Sequence, residues 1–316
     1  MELRRGRAWS VTTLAAASAL LLTLTACGGS GASPVTPSSS ASPSGESAAA
    51  EELVDIGGDR AVFLRCAGTG SPTVLLISGT RGAADEWDTL LPDADPDAVS
   101  TFDELSRTTR VCSYDRPGTT RASGALSPST VVAQPTTARQ SADDLAKAMD
   151  AADEPGPYVV VGLSWGGLIG QDFARTHPAE VAGLVLVDSA SEYLAETFSP
   201  DQWARWMALI AASGDALGSE VPAYEPSISE LRAVAALPDI PVVVLSSDHP
   251  WDLQVTPGES TWPGWVAAQA ALAQALHAEH ITNTDSGHGI PVEQPALVTA
   301  AILGVVDSVR AAGSTG

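Results

Sequence analysis

Short runs of consecutive apolar residues recur along the chain from about residue 53, and glycine, proline or polar residues bound each run. Such runs suit strands that are buried on both faces of a parallel sheet. The first two segments are separated only by Gly57-Gly58, a connection typical of a β-hairpin. The pattern predicts these strands: Leu53–Ile56, Arg60–Cys66, Thr73–Ile77, Arg110–Tyr114, Tyr158–Val161, Gly183–Val187, Pro241–Leu245 and Glu279–Asn283.

Longer segments with helical character lie between these strands. Ser141 followed by Asp144 is a start signal for the first helix, and Pro178 is a stop signal for the second. The hairpin followed by alternating strands and helices predicts a mostly parallel, doubly wound α/β sheet. Residues 189–237 interrupt this alternation, because they are rich in Trp and Ala and contain no clear strand, and they predict a helical insertion. The predicted helices are Thr136–Ala152, Gly167–Thr176, Trp262–His277 and Pro295–Ala312.

The N-terminal region follows a different pattern. A basic stretch from Arg4 to Arg7 precedes the apolar segment Val11–Ala26, which is shorter than the roughly 20 residues that a membrane-spanning helix needs. This order predicts a signal peptide over residues 1–26, and the alternative is a permanent transmembrane helix. Residues 27–50 consist mainly of Gly, Ser, Pro and Ala, which predicts a flexible tether that leaves residues 51–316 as the folded domain.

The segment Leu24-Thr25-Ala26-Cys27 resembles the lipobox of bacterial lipoproteins. The resemblance implies that Cys27 becomes the lipidated first residue of the mature protein. We therefore expect an exported protein that a lipid anchor at Cys27 holds at the outer face of the cell membrane, or that is released outside the cell.

The charge of the chain narrows the range of partners. Among 316 residues there are 16 Lys and Arg against 38 Asp and Glu, which gives a formal net charge of −22. Nucleic-acid binding depends on clustered basic side chains, so a nucleic-acid partner is excluded, and anionic substrates are disfavoured. There is no closely spaced Cys and His set, so no structural metal is expected.

The segment Gly162–Gly167 (Gly-Leu-Ser-Trp-Gly-Gly) directly follows the predicted strand Tyr158–Val161 and opens a helix. This is the G-x-S-x-G pattern on a turn between a strand and a helix, which is the context in which the pattern marks a nucleophilic serine. The sharp turn needs very small residues two positions before and after the serine, and Gly162 and Gly166 meet that need. The pattern predicts Ser164 as a nucleophile; the alternative is a glycine-rich turn that contains a serine by chance.

From about Leu53 to the C terminus the chain resembles the α/β-hydrolase family. The resemblance rests on this elbow, on Ser113–Gly118 (Ser-Tyr-Asp-Arg-Pro-Gly), on Ala182–Asp188 and on Ser286-Gly287-His288. It implies the α/β-hydrolase fold, with a mostly parallel eight-stranded sheet, helices on both faces and a helical cap at about residues 189–237. It also implies a Ser-His-Asp triad that works without a cofactor on a small-molecule ester or acyl substrate.

The resemblance assigns the catalytic base to His288, which lies in a loop of small residues after the last predicted strand. In the family the acid usually follows the seventh strand, which favours Asp248, although the sequence before it is Leu-Ser-Ser and the spacing to His288 is longer than usual. Some members carry the acid at the end of strand six, which makes Asp188 the alternative. Asp252 is a third choice.

The resemblance further implies an oxyanion hole formed by the backbone amides of Thr80 and Trp165, with Ser78 standing where the family commonly has histidine. It also places Cys66 and Cys112 at one sheet edge, because the second strand of the family runs antiparallel to the fourth. Since export favours oxidation of thiols, we expect a disulfide there, the alternative being two buried free thiols.

These features predict a secreted, lipid-anchored serine hydrolase that cleaves carboxylic esters through an acyl-enzyme intermediate. The Ser-Trp-Gly sequence also resembles proline-releasing aminopeptidases of the same fold, but their His-Gly-Gly-Pro-type oxyanion loop is absent. A non-catalytic surface lipoprotein on the same scaffold is the third possibility. Residues of the insertion are expected to line an apolar acyl site, and the alternative for each of them is ordinary packing of the insertion on the core: Tyr193, Phe198, Trp203, Trp206 and Met207.

Overall fold

The computed structural model describes residues 49–212, 218–251 and 258–314. The predicted signal peptide, the lipidation site Cys27 and the tether up to residue 48 lie outside the described residues.

One eight-stranded sheet forms the centre of the domain, in the order β1-β2-β4-β3-β5-β6-β7-β8. The β1–β2 and β2–β4 pairs are antiparallel, and the other strand pairs are parallel. This is the predicted arrangement, in which an N-terminal hairpin precedes a doubly wound parallel sheet. The strands are β1 (Ala50–Gly57), β2 (Arg60–Ala67), β3 (Thr73–Ile77), β4 (Val111–Asp115), β5 (Tyr158–Leu163), β6 (Val181–Val187), β7 (Val242–Leu245) and β8 (Glu279–Ile281).

Helices cover both faces of the sheet and form the insertion. A short 3-10 helix spans Ala84–Asp88. In the described ranges the α-helices are α1 (Thr101–Ser106), α2 (Ala138–Ala151), α3 (Trp165–Thr176), α4 (Leu194–Thr197), α5 (Pro200–Ala212), α6 (Tyr224–Ala233), α7 (Trp262–Ala275), α8 (Ile290–Glu293) and α9 (Pro295–Gly313).

Helix α2 begins earlier than its predicted start signal. Its N-cap is Thr137, whose hydroxyl accepts from the amide of Gln140 while the Gln140 side chain accepts from the Thr137 amide. This capping box satisfies backbone donors that the first turn leaves unpaired. Ser141 and Asp144 lie inside the helix, and Asp144 pairs with Arg60 of β2, so the prediction that they mark the helix start was wrong.

The core has two layers, one on each face of the sheet. In β3, Leu75 and Ile77 belong to one apolar cluster, and Val74 and Leu76 belong to the other. The continuous apolar run of this strand therefore reflects burial on both faces. Helices α2 and α3 pack on the first face, and α1 and α9 pack on the second.

The segment between β6 and β7 carries helices α4, α5 and α6, which confirms the predicted helical insertion. Helix α4 packs against both α5 and α7. Tyr224 at the start of α6 contacts Trp165 at the start of α3, with ring centroids 4.7 Å apart. The insertion thus covers the end of the sheet at which β5 gives way to α3.

Cys66 and Cys112 form a disulfide between β2 and β4. The two residues are directly opposite each other in this antiparallel pair, with Cα atoms 4.1 Å apart. The expected bridge and the strand order that led to it are both confirmed.

Replacing both cysteines by serine is expected to lower the free energy of unfolding by about 4 kcal/mol, because the bridge closes a loop of 46 residues in the unfolded chain. Urea unfolding of the wild type and of the double variant would measure this difference. A change below about 1 kcal/mol would show that the bridge is not formed or contributes little.

Candidate active site

Ser164 occupies the sharp turn between β5 and α3. Its backbone has φ 52° and ψ −119°, a conformation that residues with side chains rarely adopt. The turn is held by hydrogen bonds from the Ser164 amide to the Val187 carbonyl and from the Ala190 amide to the Ser164 carbonyl. Strain of this kind persists only where the surrounding structure enforces it, as the two neighbouring segments do here.

The glycines of the elbow are required by close packing. A Cβ at Gly162 would lie 2.4 Å from the Gly166 carbonyl oxygen, and one at Gly166 would lie 2.2 Å from the Ile77 carbonyl oxygen. The second contact holds the start of α3 directly against the end of β3. Trp165 at the start of α3 and Thr80 after β3, which are the predicted amide donors, are thereby brought close together.

His288 is paired with Asp188. The Nδ1 atom of His288 lies 2.6 Å from Oδ2 of Asp188, a fully buried carboxylate directly after β6. A carboxylate can only accept a hydrogen bond, so Nδ1 carries the proton and Nε2 is free to act as a base.

A second set of bonds fixes the other carboxylate oxygen of Asp188. Oδ1 accepts from both the amide and the hydroxyl of Ser247, and Ser247 Oγ accepts in turn from Trp251 Nε1. The Trp251 ring packs on the His288 ring with centroids 4.2 Å apart. Asp188, Ser247, Trp251 and His288 therefore form a closed set of contacts that orients the imidazole.

The preference for Asp248 as the partner of His288 was wrong, and the alternative, Asp188, occupies that position. Asp248 is exposed, and its Oδ1 accepts from the amide of Ser286. Although partial desolvation opposes the effect, hydrogen bonds from the Ser286 and Asp285 amides and the charge of His249 bring the pKa of Asp248 below its ordinary value. Asp248 thus fastens the loop after β7 to the loop that carries His288. Asp252 lies outside the described residues.

The remaining histidines have contacts away from this pair. His249 Nε2 lies 3.2 Å from Asp285 on the surface, and His280 Nε2 lies 2.8 Å from Ser246 Oγ. Burial lowers the pKa of His280. His177 packs on Phe173 at the end of α3.

A cavity of about 400 Å³ opens beside Ser164 and His288. Its walls are mainly aromatic and aliphatic, and they come from the elbow, the β3 loop with its 3-10 helix, the insertion, α7 and the loops after β7 and β8. Among the described residues it is lined by Gly79, Thr80, Arg81, Glu86, Leu163, Ser164, Trp206, Leu209, Ile210, Tyr224, Trp251, Trp265, His288 and Gly289.

Of the insertion residues expected to line this cavity, Trp206 is the one that does so within the described ranges. It packs between Tyr224 and Trp265, with ring centroids 4.7 Å and 6.3 Å away. The other four pack within or against the hydrophobic core: Tyr193, Phe198, Trp203 and Met207. For these four residues the alternative, ordinary packing on the core, is the one observed.

The segments that carry the two predicted oxyanion donors meet at this cavity. Thr80 borders it, and Trp165 follows Ser164 at the first position of α3. Burial raises the pKa of Tyr224, while a hydrogen bond between its side chain and Thr80 acts in the opposite direction. Tyr224 therefore stays protonated and supports the Thr80 loop from the insertion side.

Buried charges brace the same loop, which begins at Ser78 directly after β3. The Arg116 guanidinium pairs with Glu220 and also donates to the carbonyls of Ser78 and Gly79, at 3.0 and 2.6 Å. The Arg81 amide donates to the Glu220 carboxylate at 2.6 Å. Sequence reasoning missed this network, because Glu220 is far from Arg116 along the chain.

The carboxyl group of Glu86 also reaches the cavity, where its Oε2 accepts from the Gly79 amide at 2.7 Å. Trp251, Trp265 and Glu86 were not among the residues expected at the site. The aromatic content of the segments around β7 and α7 was the only available signal for the two tryptophans, and nothing in the local pattern singled out Glu86.

No metal is needed to explain this geometry. In the described part of the chain, Cys66 and Cys112 lie close to Glu154, but their sulfurs are joined in the disulfide and cannot serve as thiolate ligands.

Comparison with known proteins agrees with the architecture. A family model described as "alpha/beta hydrolase fold" matches residues 72–213. A stretch of 147 residues is 33% identical to an uncharacterized protein of Schizosaccharomyces pombe (strain 972 / ATCC 24843), and the match covers 41% of this chain and 26% of that protein. The chain spans well under half the length of the curated relatives it matches.

Solved structures give the same result over most of the chain. A thermophilic esterase from Thermogutta terrifontis superimposes with a TM-score of 0.53 at 20% identity, over 83% of this chain and 98% of that one. Carboxylesterase CesB from Bacillus subtilis gives a TM-score of 0.51 at 16% identity, over 81% and 91% of the two chains. Together with the sheet order and the helical insertion, these matches show that the chain has the α/β-hydrolase fold.

Proposed function

We propose that this protein is a serine hydrolase that cleaves carboxylic esters or closely related acyl bonds. The observation that carries the proposal is the arrangement of Ser164, His288 and Asp188. A serine in a strained elbow and a histidine oriented by a buried carboxylate border the same cavity. The three residues supply the nucleophile, the base and the orienting acid that acyl transfer to serine requires.

The proposed reaction begins when the Ser164 hydroxyl attacks the acyl carbon and His288 Nε2 takes its proton. Asp188 stabilises the imidazolium that forms, and the amides of Thr80 and Trp165 bind the negative oxygen of the tetrahedral intermediate. The carbon–oxygen bond to the alcohol breaks, and His288 returns the proton to the leaving oxygen. A water molecule then attacks the acyl-enzyme with His288 as base, which releases the acid and restores Ser164.

The lining of the cavity supports a small ester with apolar parts. Leu209, Ile210 and Trp206 form an apolar wall beside the nucleophile. A volume of about 400 Å³ suits a small organic ligand. The two esterases with the same fold are consistent with ester chemistry, although their identities to this chain are low.

A fluorophosphonate probe and a substrate panel test this function. We expect the probe to label one serine, and p-nitrophenyl esters of graded chain length to be hydrolysed in preference to prolyl anilides. Preference for prolyl anilides would favour the aminopeptidase alternative. A folded protein that neither reacts with the probe nor hydrolyses any member of the panel would support a binding protein and contradict the proposal.

We further propose that the enzyme is exported and anchored by a lipid at Cys27. The basic and apolar segments before Cys27 and the Gly- and Ser-rich segment after it support this location. When the chain is expressed in a bacterium, the wild type should incorporate labelled fatty acid and sediment with membranes, and Cys27→Ser should do neither. Retention of both properties in the variant would contradict the anchor.

A further inference from the structure

Glu86 places a carboxyl group close to the nucleophile without taking part in the proposed triad. A Cβ added at Gly79 would lie 3.5 Å from the Cβ of Ser164 and 3.7 Å from both carboxylate oxygens of Glu86. The serine and this carboxyl group therefore both border the space beside the Gly79 Cα atom, where glycine has no side chain. Glu86 extends from the 3-10 helix Ala84–Asp88 into the cavity.

The backbone around Glu86 is shaped to admit its side chain. A Cβ at Gly82 would lie 2.2 Å from Oε2 of Glu86, so a larger residue at position 82 would displace the carboxyl group. The Gly79 amide donates to the same oxygen at 2.7 Å. The carboxyl group is consequently held at one place in the cavity wall.

The two nearby arginines are bonded to groups other than Glu86, and Nη2 of Arg81 has no hydrogen-bond partner among the described residues. Arg116 is bonded to Glu220 and to two backbone carbonyls, and Arg81 Nε is directed at the Glu220 carbonyl at 3.4 Å. Among the described residues that line the cavity, Glu86 carries the carboxyl group and Arg81 carries a guanidinium, in addition to the imidazole of His288.

Burial raises the pKa of Glu86, and the Gly79 amide and the charges of Arg116 and His288 offset this only in part. The ionised form of a buried carboxyl group is destabilised because burial removes the water around it. A cation that entered the cavity would restore favourable electrostatic contact and would stabilise the ionised form.

The rest of the cavity wall is also suited to a cation. Trp206, Tyr224, Trp251 and Trp265 line it, and neighbouring rings are in contact, with Trp251 and Trp265 centroids 4.7 Å apart. Aromatic faces attract ammonium groups through their quadrupoles, and several rings around one carboxylate are an effective receptor for an alkylated ammonium.

We propose that the cavity selects esters that carry an ammonium group close to the scissile bond, with Glu86 as the counter-charge and the aromatic residues as the surrounding wall. This inference rests on the proposed esterase function and specifies its substrate class. Glu86 is a specificity-determining residue that contacts the substrate cation.

Two pairs of substrates test the proposal, each consisting of an ammonium compound and a carbon analogue of nearly the same shape. In the first pair, butyrylcholine carries the trimethylammonium group on the alcohol side of the ester, and 3,3-dimethylbutyl butyrate carries the uncharged tert-butyl group there. The methyl esters of 4-(trimethylammonio)butyrate and 5,5-dimethylhexanoate place these groups on the acyl side. In at least one pair, we expect kcat/KM to be about tenfold or more higher for the cationic ester.

Variants of Glu86 show whether the carboxylate causes the preference. In Glu86→Gln the ratio of kcat/KM within the preferred pair should fall to about one, whereas Glu86→Asp, which keeps the charge, should retain a preference. Glu225→Gln is the matched control, because it removes an exposed carboxylate of the insertion, and its ratio should equal that of the wild type. Equal rates within both wild-type pairs, or a preference that survives in Glu86→Gln, would overturn the proposal.

A binding measurement separates this proposal from the proposed function. Calorimetry with choline and with 3,3-dimethylbutanol on the Ser164→Ala protein requires no catalysis. Tighter binding of choline that is lost on the further change Glu86→Gln supports the cation site even if no ester is hydrolysed. If the wild type hydrolyses p-nitrophenyl butyrate but the Ser164→Ala protein does not bind choline, the cation site is contradicted and the esterase function is not.

Discussion

Ser164→Ala is expected to lower kcat/KM for p-nitrophenyl butyrate by about 10⁶-fold, because the hydroxyl that forms the acyl-enzyme is removed. Residual hydrolysis would come only from water held near the oxyanion donors. The substitution should not disturb the fold, since the elbow is held by the backbone bonds of residue 164 and not by its hydroxyl. Steady-state kinetics and fluorophosphonate labelling would measure the effect, and both signals should disappear together.

Ser308→Ala is a suitable control for this experiment. Ser308 is an exposed serine on α9, and its hydroxyl bonds only to the carbonyl one turn earlier, at 2.8 Å. Its removal should leave labelling and activity unchanged. If Ser164→Ala kept more than about 1% of the wild-type activity, another nucleophile would have to be responsible, and the proposed mechanism would be wrong.

Asp188→Asn is expected to lower kcat by about 10⁴-fold, while Asp248→Asn should change it by less than about tenfold. The reason is the 2.6 Å contact between Asp188 and His288 Nδ1. An asparagine can present its amide nitrogen to Nδ1, which would favour the tautomer with the proton on Nε2, and it cannot stabilise the imidazolium. Asp248 contacts the backbone of the His288 loop and does not contact the imidazole.

Thermal unfolding separates the two roles of these aspartates. Asp248→Asn should loosen the link to Ser286 and lower Tm slightly, with kcat nearly kept. Asp188→Asn should keep the fold, because the asparagine side chain can still accept from Ser247. A loss of kcat in Asp248→Asn comparable to that in Asp188→Asn would contradict the assignment of the acid.

The strands and the elbow could be predicted because their signals are local. Each buried strand is a continuous apolar run, and β3 was placed at its observed bounds, Thr73–Ile77. The helix starts were placed equally well, since α7 and α9 begin at their predicted residues, Trp262 and Pro295, although Ser141 and Asp144 did not mark the start of α2. The disulfide followed once the order of the strands was known, because Cys66 and Cys112 are opposite each other in that order.

The acid could not be chosen reliably from sequence, because Asp188 and Asp248 both follow strands that end at the same edge of the sheet. Which of them reaches His288 depends on the paths of two loops. The amides and carbonyl of Ser286 and Asp285 engage Asp248, while Ser247 engages Asp188 and leaves its second oxygen for the imidazole. The decision therefore rests on a few hydrogen bonds between distant segments.

The residues that line the cavity could not be predicted from local sequence patterns either. Trp206, Leu209 and Ile210 of α5 line the site, whereas Trp203 and Met207 of the same helix pack against the hydrophobic core. Glu86 reaches Gly79 because both lie on one turn of chain after β3, a proximity that depends on the conformation of residues 79–86.

Ser164 could be recognised from the chain alone because the elbow is a local backbone constraint, in which glycine must stand on both sides of a strained residue. His288 could be recognised through its position after the last strand in a family resemblance. The acid, the aromatic wall and the charge beside the nucleophile became visible only in three dimensions. These features arise from contacts between segments far apart in sequence, and such contacts depend on how the loops and the insertion pack on the sheet.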